Sequence, residues 1–217
     1  MNRRDLFKQI VSLATLAATS SRAFAQKALQ AGKDFRVINP PRPTESGDRI
    51  EVLEFFSYGC PHCYELEPVV EAWLKQLPKD VQFRRIPITF NRDAWTVLAK
   101  MYLTYELMGE TERMSLPTFS AIHNDRVNLE DEANRNAWLQ KNGVNVAKFN
   151  ENFRSFSVAS KLQRATQVAA AYQVQGVPTL AVDGKYVTAP SMTNSLEGTL
   201  AVVNQLIVRT RGERGRK

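Results

Sequence analysis

The chain of 217 residues contains only two cysteines, Cys60 and Cys63, and two residues separate them. The stretch before them, Ile50 to Phe56, is nearly all apolar, which predicts a central strand covered on both faces. After Cys60 the apolar residues recur at helical spacing, at Leu66, Val69, Val70, Trp73, Leu74 and Leu77. The cysteine pair therefore stands where a buried strand ends and a helix begins, and this placement constrains the fold more than any other feature.

Cysteines at the start of a helix have the chemistry of redox-active thiols. The first turn of a helix has backbone N–H groups without partners and the positive end of the dipole, and both favour a thiolate. We expect Cys60 to cap the helix and Pro61 to take its first position, where the missing N–H costs nothing. Cys63 lies one turn further on the same side, so Cys60 is predicted to be the exposed attacking thiol and Cys63 the more buried resolving thiol. His62 can carry positive charge or donate a hydrogen bond, and either favours a neighbouring thiolate.

A stabilised thiolate stabilises the reduced pair, so the corresponding disulfide is readily given away. A zinc site is disfavoured, because the chain has no other cysteine and, beyond His62, only one more histidine, His123. We expect His123 to be an ordinary surface or core histidine. A purely structural disulfide would close too short a loop to restrain the unfolded chain much. No metal and no cofactor are expected.

Residues 1–25 have the pattern of an export signal. Basic residues come first, a short apolar run follows, and Ala23-Phe24-Ala25 is a small-x-small site that predicts cleavage after Ala25. The apolar run is too short to span a bilayer. The pair Arg3-Arg4 allows the twin-arginine route as well as the Sec route. Both routes lead to an oxidising compartment, where disulfide chemistry belongs.

The positive net charge does not indicate a nucleic-acid-binding protein. Residues 1–25 carry four basic residues and one acidic residue, so their removal lowers the net charge from +7 to +4 (7 − 3). The segment 209–217 holds five basic residues against Glu213, which accounts for +4. The rest is close to neutral. We expect 209–217 to be a basic, disordered tail and the protein to have no nucleic-acid partner.

The remaining chain predicts an α/β domain with a helical insertion. The predicted boundaries are 26–90 for the first part of the sheet domain, 91–157 for the helical insertion and 158–208 for the second part. The predicted strands are Phe35–Ile38, Ile50–Phe56, Val81–Ile88, Leu180–Val182 and Lys185–Val187. Strand signals vanish within the insertion, whereas the second part holds a long helix, a hairpin turn at Asp183-Gly184 and a closing helix.

The residues around the cysteines resemble a known family. Val52 to Ser57, running into Cys60-Pro61-His62-Cys63-Tyr64, resembles the active site of the DsbA family of periplasmic thiol:disulfide interchange proteins. Gly176-Val177-Pro178 resembles the family's cis-proline loop. The likeness covers the whole chain after the signal. It implies a thioredoxin fold with an inserted helical domain, a cis bond before Pro178, and backbone contact between Val177 and an extended substrate peptide.

The resemblance also implies an activity and partners. It implies that the Cys60–Cys63 disulfide is donated to unfolded or newly exported cysteine-containing proteins in the periplasm. It further implies that a DsbB-like membrane quinone reductase re-oxidises the pair. We expect a monomer. A disulfide isomerase or reductase, and a redox-regulated chaperone or binding module, remain alternatives. An isomerase of this superfamily carries a dimerisation domain, for which the stretch before Phe35 is too short, and a reductase tends to have Gly-Pro between its cysteines.

Three charged residues form a predicted cluster beneath the cysteines. Glu54 interrupts the apolar strand, Glu67 lies one turn after Cys63, and Arg85 in the next strand could pair with either carboxylate. These positions resemble the family's charged cluster, in which the basic member is commonly lysine. If Glu54 is buried, we expect it to modulate proton transfer from Cys63. The alternative is an exposed Glu54 at a sheet edge and a solvated Glu67.

Overall fold

The computed structural model describes residues 28–215, so the predicted signal, residues 1–25, lies outside the described part. The strands are β1 (Arg36–Val37), β2 (Ile50–Phe56), β3 (Val81–Pro87), β4 (Thr179–Val182) and β5 (Tyr186–Thr188). They form one sheet in the order β1-β5-β4-β2-β3. β2 pairs in parallel with β3, and its other neighbour, β4, is antiparallel.

The helices occupy the connections between these strands and the end of the chain. They are α1 (Pro61–Leu74), α2 (Asp93–Met108), α3 (Thr111–His123), α4 (Glu132–Lys141), α5 (Val146–Phe153), α6 (Phe156–Ala171), α7 (Pro190–Thr193) and α8 (Leu196–Arg214). In the described part of the chain, no helix is both long and apolar enough to cross a membrane. The expected α/β fold with inserted helices between β3 and β4 is confirmed, and the short helix α7 was not predicted.

Both faces of the central strand β2 are covered, which explains its apolar sequence. All seven of its residues are buried. Val52 packs in one cluster with residues of α1 and α8, whereas Leu53 and Phe55 pack on the opposite face with residues of α6. The end of β2 and the start of α1 are therefore held between two layers of helices.

A further core joins the inserted helices to the cysteines. Phe56, Tyr58, Cys60 and Cys63 belong to the same buried cluster as apolar residues of the insertion, among them Leu98, Met101, Tyr102, Phe119 and Phe149. The redox pair therefore packs against the insertion as well as against its own sheet domain.

Side-chain caps set the starts of several helices. The capping oxygen accepts a hydrogen bond from a backbone N–H in the first turn at Asp131, Asn145, Ser155 and Ser195. Such caps satisfy N–H groups that have no partner within the helix. The cap at Ser155 sets the start of α6 at Phe156.

The turn between β4 and β5 has the predicted hairpin geometry. Asp183 and Gly184 have φ angles of 54° and 68°, both left-handed, and the Lys185 N–H donates to the Val182 carbonyl oxygen at 3.0 Å. A Cβ atom at position 184 would come within 2.0 Å of the carbonyl oxygen of Arg42. Glycine is needed here for its conformation and for this close approach.

The prediction of a disordered tail at 209–217 is wrong for residues 209–214. These residues continue helix α8. Arg211 Nη2 lies 2.9 Å from Asp80 Oδ1, and Arg214 pairs with the buried Asp183. The sequence pattern missed this order because both carboxylates come from other parts of the chain.

Candidate active site

Helix α1 begins as the sequence predicts, with Cys60 at the N-cap and Pro61 at the first position. Cys60 has extended backbone angles, φ −100° and ψ 116°, and no side chain caps the helix. The Cys60 N–H donates to the carbonyl oxygen of Ser57 at 3.0 Å, which closes the turn between β2 and α1. The N–H groups of the first helical turn are thus available to the Cys60 sulfur.

The two thiols have opposite pKa shifts. The Cys63 thiol hydrogen-bonds to Cys60 and, together with the backbone N–H groups of Cys63 and His62, lowers the pKa of Cys60 to about 6. Burial, and then the same hydrogen bond, raises the pKa of Cys63 well above its ordinary value. Cys60 is only 6% exposed, less than the sequence predicted, and Cys63 is fully buried. Near pH 7 the pair therefore combines an ionised Cys60 with a protonated and more deeply buried Cys63.

We expect the reduced protein to gain stability relative to the oxidised protein as pH rises from about 6 to about 9. Folding lowers the pKa of Cys60 from 9.0 to about 6. The resulting stabilisation is complete above the unfolded value and is lost as pH falls through the folded value. It amounts to about 4 kcal/mol in full and about 1.4 kcal/mol near pH 7. Urea midpoints of both forms, compared at about pH 5 and about pH 8, measure it. A difference between the forms that does not change with pH would contradict the lowered pKa.

The loop around Val177 lies directly against Cys60. The Cys60 sulfur lies 3.4 Å from the Val177 carbonyl oxygen, to which the thiol donates a hydrogen bond when it is protonated, although 117 residues separate the two. The bond between Val177 and Pro178 is cis, as the resemblance implied. A groove with a volume of about 760 Å³ runs beside this loop, lined also by His62, Met192 and Leu196. Val177, for which the resemblance implied contact with substrate, thus lies beside the Cys60 sulfur.

The His62 ring hydrogen-bonds to Glu65. Its side chain is 71% exposed, and Nδ1 lies 3.0 Å from Glu65 Oε2. This hydrogen bond raises the pKa of His62. The charge of His62 lowers the Cys60 pKa less than the backbone N–H of His62 does. The sequence predicted that the ring could act through a positive charge or through a donated hydrogen bond. Only the charge affects the Cys60 thiolate.

Replacing His62 by glutamine should raise the Cys60 pKa by less than about one unit, because the backbone hydrogen bond remains and only an exposed charge is lost. Ultraviolet absorbance of the thiolate against pH measures the change. Glu65→Gln is the matched variant: it keeps the histidine but removes the partner that favours its charged form. A shift of two units or more in His62→Gln would show that the ring does far more than this geometry allows.

The predicted charged cluster is assembled and buried beneath the cysteines. Arg85 Nε lies 2.8 Å from Glu54 Oε2, and Arg85 Nη2 lies 2.7 Å from Glu67 Oε2. Both carboxylate residues are only 1% exposed, so the alternative of an exposed Glu54 and a solvated Glu67 is wrong. Burial raises the pKa of Glu67 to about 7, against the attraction of Arg85. The charge of Glu54 contributes to the raised pKa of Cys63, so the cluster acts electrostatically on the buried thiol.

His123 lies beside the active site, a position that no sequence pattern predicted. Its Nε2 is 2.8 Å from the carbonyl oxygen of Tyr58, and its ring stacks on Tyr64 with 5.3 Å between centroids. These two tyrosines flank the Cys60–Cys63 segment. A lone histidine in a helix has no sequence signal that links it to a distant loop, so only the tertiary structure brings it here.

Comparison with known proteins agrees with this geometry. A family model described as the DSBA-like thioredoxin domain matches residues 51–200. The thiol:disulfide interchange protein DsbA of Bordetella parapertussis is 42% identical over 206 residues, which cover 94% of this chain and 97% of that protein. The protein of the same name from Pseudomonas aeruginosa strain PAO1 is 36% identical over 206 residues, which cover 94% of this chain and 97% of that protein.

Solved structures show the same relationship. The crystal structure of Pseudomonas aeruginosa DsbA superposes with a TM-score of 0.83 at 36% identity and covers 86% of this chain and 97% of that one. The oxidoreductase DsbA from Xylella fastidiosa superposes with a TM-score of 0.78 at 29% identity and covers 85% of this chain and 98% of that one. With the matched family model, the near full-length relatives and the paired cysteines at the start of α1, this chain belongs to the DsbA-like thioredoxin family and is a thiol:disulfide oxidoreductase.

Proposed function

We propose that this protein works as an oxidase, which donates its Cys60–Cys63 disulfide to unfolded or newly exported proteins. The observation that carries the proposal is the position of Cys60 at the N-cap of α1, where the Cys63 thiol and the backbone N–H groups of the first turn lower its pKa. A thiolate stabilised by about three pKa units makes the disulfide more oxidising than one between ordinary thiols, by about 30 mV near pH 7 and by about 90 mV above about pH 9, where the full stabilisation of about 4 kcal/mol applies. A pair with this difference accepts electrons from substrate thiols.

The reaction consists of two exchange steps. A substrate thiolate attacks the Cys60 sulfur, the bond between Cys60 and Cys63 breaks, and Cys63 leaves with the electron pair and takes up a proton. The second substrate thiolate then attacks the substrate sulfur of the mixed disulfide, and Cys60 leaves as a thiolate. A leaving thiol of low pKa leaves faster, so the second step benefits from the environment of Cys60.

The raised pKa of Cys63 slows the reverse reaction. A protonated Cys63 is a poor nucleophile, so it attacks the mixed disulfide, and returns the substrate unoxidised, more slowly than a thiolate would. Burial and the neighbouring Glu54 keep the proton on Cys63. We assign Glu54, Glu67 and Arg85 to this electrostatic control.

The substrate is held at the loop that carries Val177 and Pro178. The Val177 carbonyl oxygen lies 3.4 Å from the Cys60 sulfur, so a peptide that pairs with this backbone brings its own cysteine to the same place. The adjoining groove, which includes Met192 and Leu196, has room for the side chains of an extended peptide. His62 and Pro61 border the approach to Cys60 from α1.

The proposed location is the periplasm, after export and cleavage behind Ala25. The support is the signal pattern in residues 1–25 and the chemistry of the pair, which needs an oxidising compartment. A DsbB-like membrane quinone reductase is the proposed electron acceptor that restores the disulfide. We propose that the protein acts as a monomer.

Equilibration with glutathione buffers tests the direction of transfer. We expect the disulfide to be reduced at glutathione ratios that leave an ordinary structural disulfide intact. The oxidised protein, mixed with a reduced and unfolded disulfide protein, should oxidise it stoichiometrically, whereas the reduced form serves as the inactive control. A disulfide that resists reduction, or no oxidation of the substrate protein, would favour a reductase or a binding module.

A further inference from the structure

The turn that leads into Cys60 is held on both sides of one peptide group. At the Tyr58–Gly59 peptide, the carbonyl oxygen accepts from His123 Nε2 at 2.8 Å. The N–H of the same peptide, that of Gly59, donates to Ser57 Oγ at 3.2 Å. A carbonyl oxygen only accepts hydrogen bonds, so His123 carries a proton on Nε2. The plane of this peptide, one residue before the peptide that joins Gly59 to the N-cap residue, is thus fixed by two side chains.

The C-terminal end of helix α3, where His123 lies, also contacts Tyr64, the residue that follows Cys63. The His123 ring lies nearly parallel to that of Tyr64, at an interplanar angle of 9°. Asn124 Nδ2 donates to the Tyr64 hydroxyl oxygen at 2.6 Å. His123 therefore touches the residue that follows Cys63 and the peptide that precedes Cys60. His123, which belongs to the inserted helices, thus contacts the chain both before and after the two cysteines.

We propose that His123 is a positioning residue for the attacking thiol. By holding the Tyr58 carbonyl group, it orients the turn so that the first N–H groups of α1 point at the Cys60 sulfur. Tyr58 is buried, and a buried carbonyl group that loses its donor is driven to reorient towards another partner. Such a rotation misaligns the helix start with the sulfur and weakens the stabilisation of the thiolate. The inference rests on the proposed role of Cys60, and it assigns to the insertion a part in setting the reactivity of that thiol.

Two replacements of His123 separate its hydrogen bond from its stacking. His123→Phe keeps a ring against Tyr64 but has no donor for the Tyr58 carbonyl group. His123→Gln retains an N–H donor at a similar reach and loses the ring. We expect the alkylation rate of Cys60 at about pH 5 to fall about threefold to tenfold in His123→Phe, the size of a lost helix-terminus interaction. His123→Gln should recover most of the wild-type rate.

Asn124→Ala is the matched control, because Asn124 contacts Tyr64 but not the turn before Cys60. It should lower the urea midpoint without changing the Cys60 titration. Equal titration curves for the wild type and a folded His123→Phe variant would overturn the inference, as would a shift of equal size in Asn124→Ala. If His123→Phe does not fold, His123→Ala takes its place. The inference then fails if His123→Ala has the wild-type alkylation rate of Cys60, or if His123→Gln loses as much of that rate as His123→Ala does. A wild-type Cys60 with an ordinary pKa would instead contradict the proposed function, so the two failures are distinct.

Discussion

A Cys63→Ser variant should capture its substrates as covalent complexes and lose disulfide donation altogether. The serine hydroxyl can still donate a hydrogen bond to the Cys60 sulfur, so Cys60 remains a reactive thiolate. This thiolate attacks a disulfide in a partner protein, an S–S bond forms between Cys60 and the partner, and the partner's own disulfide breaks and releases a thiolate. Position 63 then has no thiol to resolve the complex. Bands that shift on non-reducing gels and disappear with reductant measure the captured fraction.

The Cys60→Ser variant is the matched control and should capture far less. With a pKa of about 6, nearly all of Cys60 is ionised near pH 7, whereas a thiol with a pKa above 9 is less than about 1% ionised. Cys63 is also fully buried. The expected difference in reaction rate with an alkylating agent is therefore roughly 100-fold. A faster reaction of Cys63 than of Cys60 would reverse the two roles and contradict the helix-cap geometry.

Replacing Arg85 by leucine should destabilise the protein by about 3 to 5 kcal/mol, because it leaves two buried carboxylates without their cation. For a domain of this size, the melting temperature should fall by roughly 6 to 20 °C. Burial already raises the pKa of Glu67 to about 7, and the loss of Arg85 raises it further. A carboxyl group with a raised pKa destabilises the fold above its unfolded pKa, so the penalty should shrink as pH falls towards about 4.5.

Arg113→Leu is the control for the loss of an arginine. Arg113 pairs with Glu110, but its side chain is 48% exposed, so we expect a loss below about 1 kcal/mol. Adding Glu67→Gln to Arg85→Leu should restore part of the stability, since it removes one of the unpaired carboxylates. Urea midpoints across the pH range measure all three variants. If Arg85→Leu were no more harmful than Arg113→Leu, the buried cluster would not depend on its cation.

Local patterns in the sequence were enough to place the redox pair. Strand Ile50–Phe56 is found at its predicted bounds, Cys60 caps the following helix, and Asp183-Gly184 forms the hairpin turn. These features depend on residues within a few positions of each other, because strand burial, helix capping and tight turns follow from local periodicity and backbone preference. The position of the cysteines at a helix N-terminus, and with it the chemistry of a reactive thiol, could be read in this way.

Contacts between distant segments could not be read from local patterns. The sequence left open whether Glu54 and Glu67 are solvated, and it offered no reason to place His123 beside Tyr58. The tail helix was missed for the same reason, since Arg211 finds Asp80 only in the folded chain. In each case the environment of the side chain depends on tertiary packing, which decides its neighbours and its exposure to water. The sequence by itself determined where the two thiols lie in the fold, whereas the tertiary structure decided what surrounds them, because burial and long-range hydrogen bonds exist only once the sheet and the inserted helices have packed.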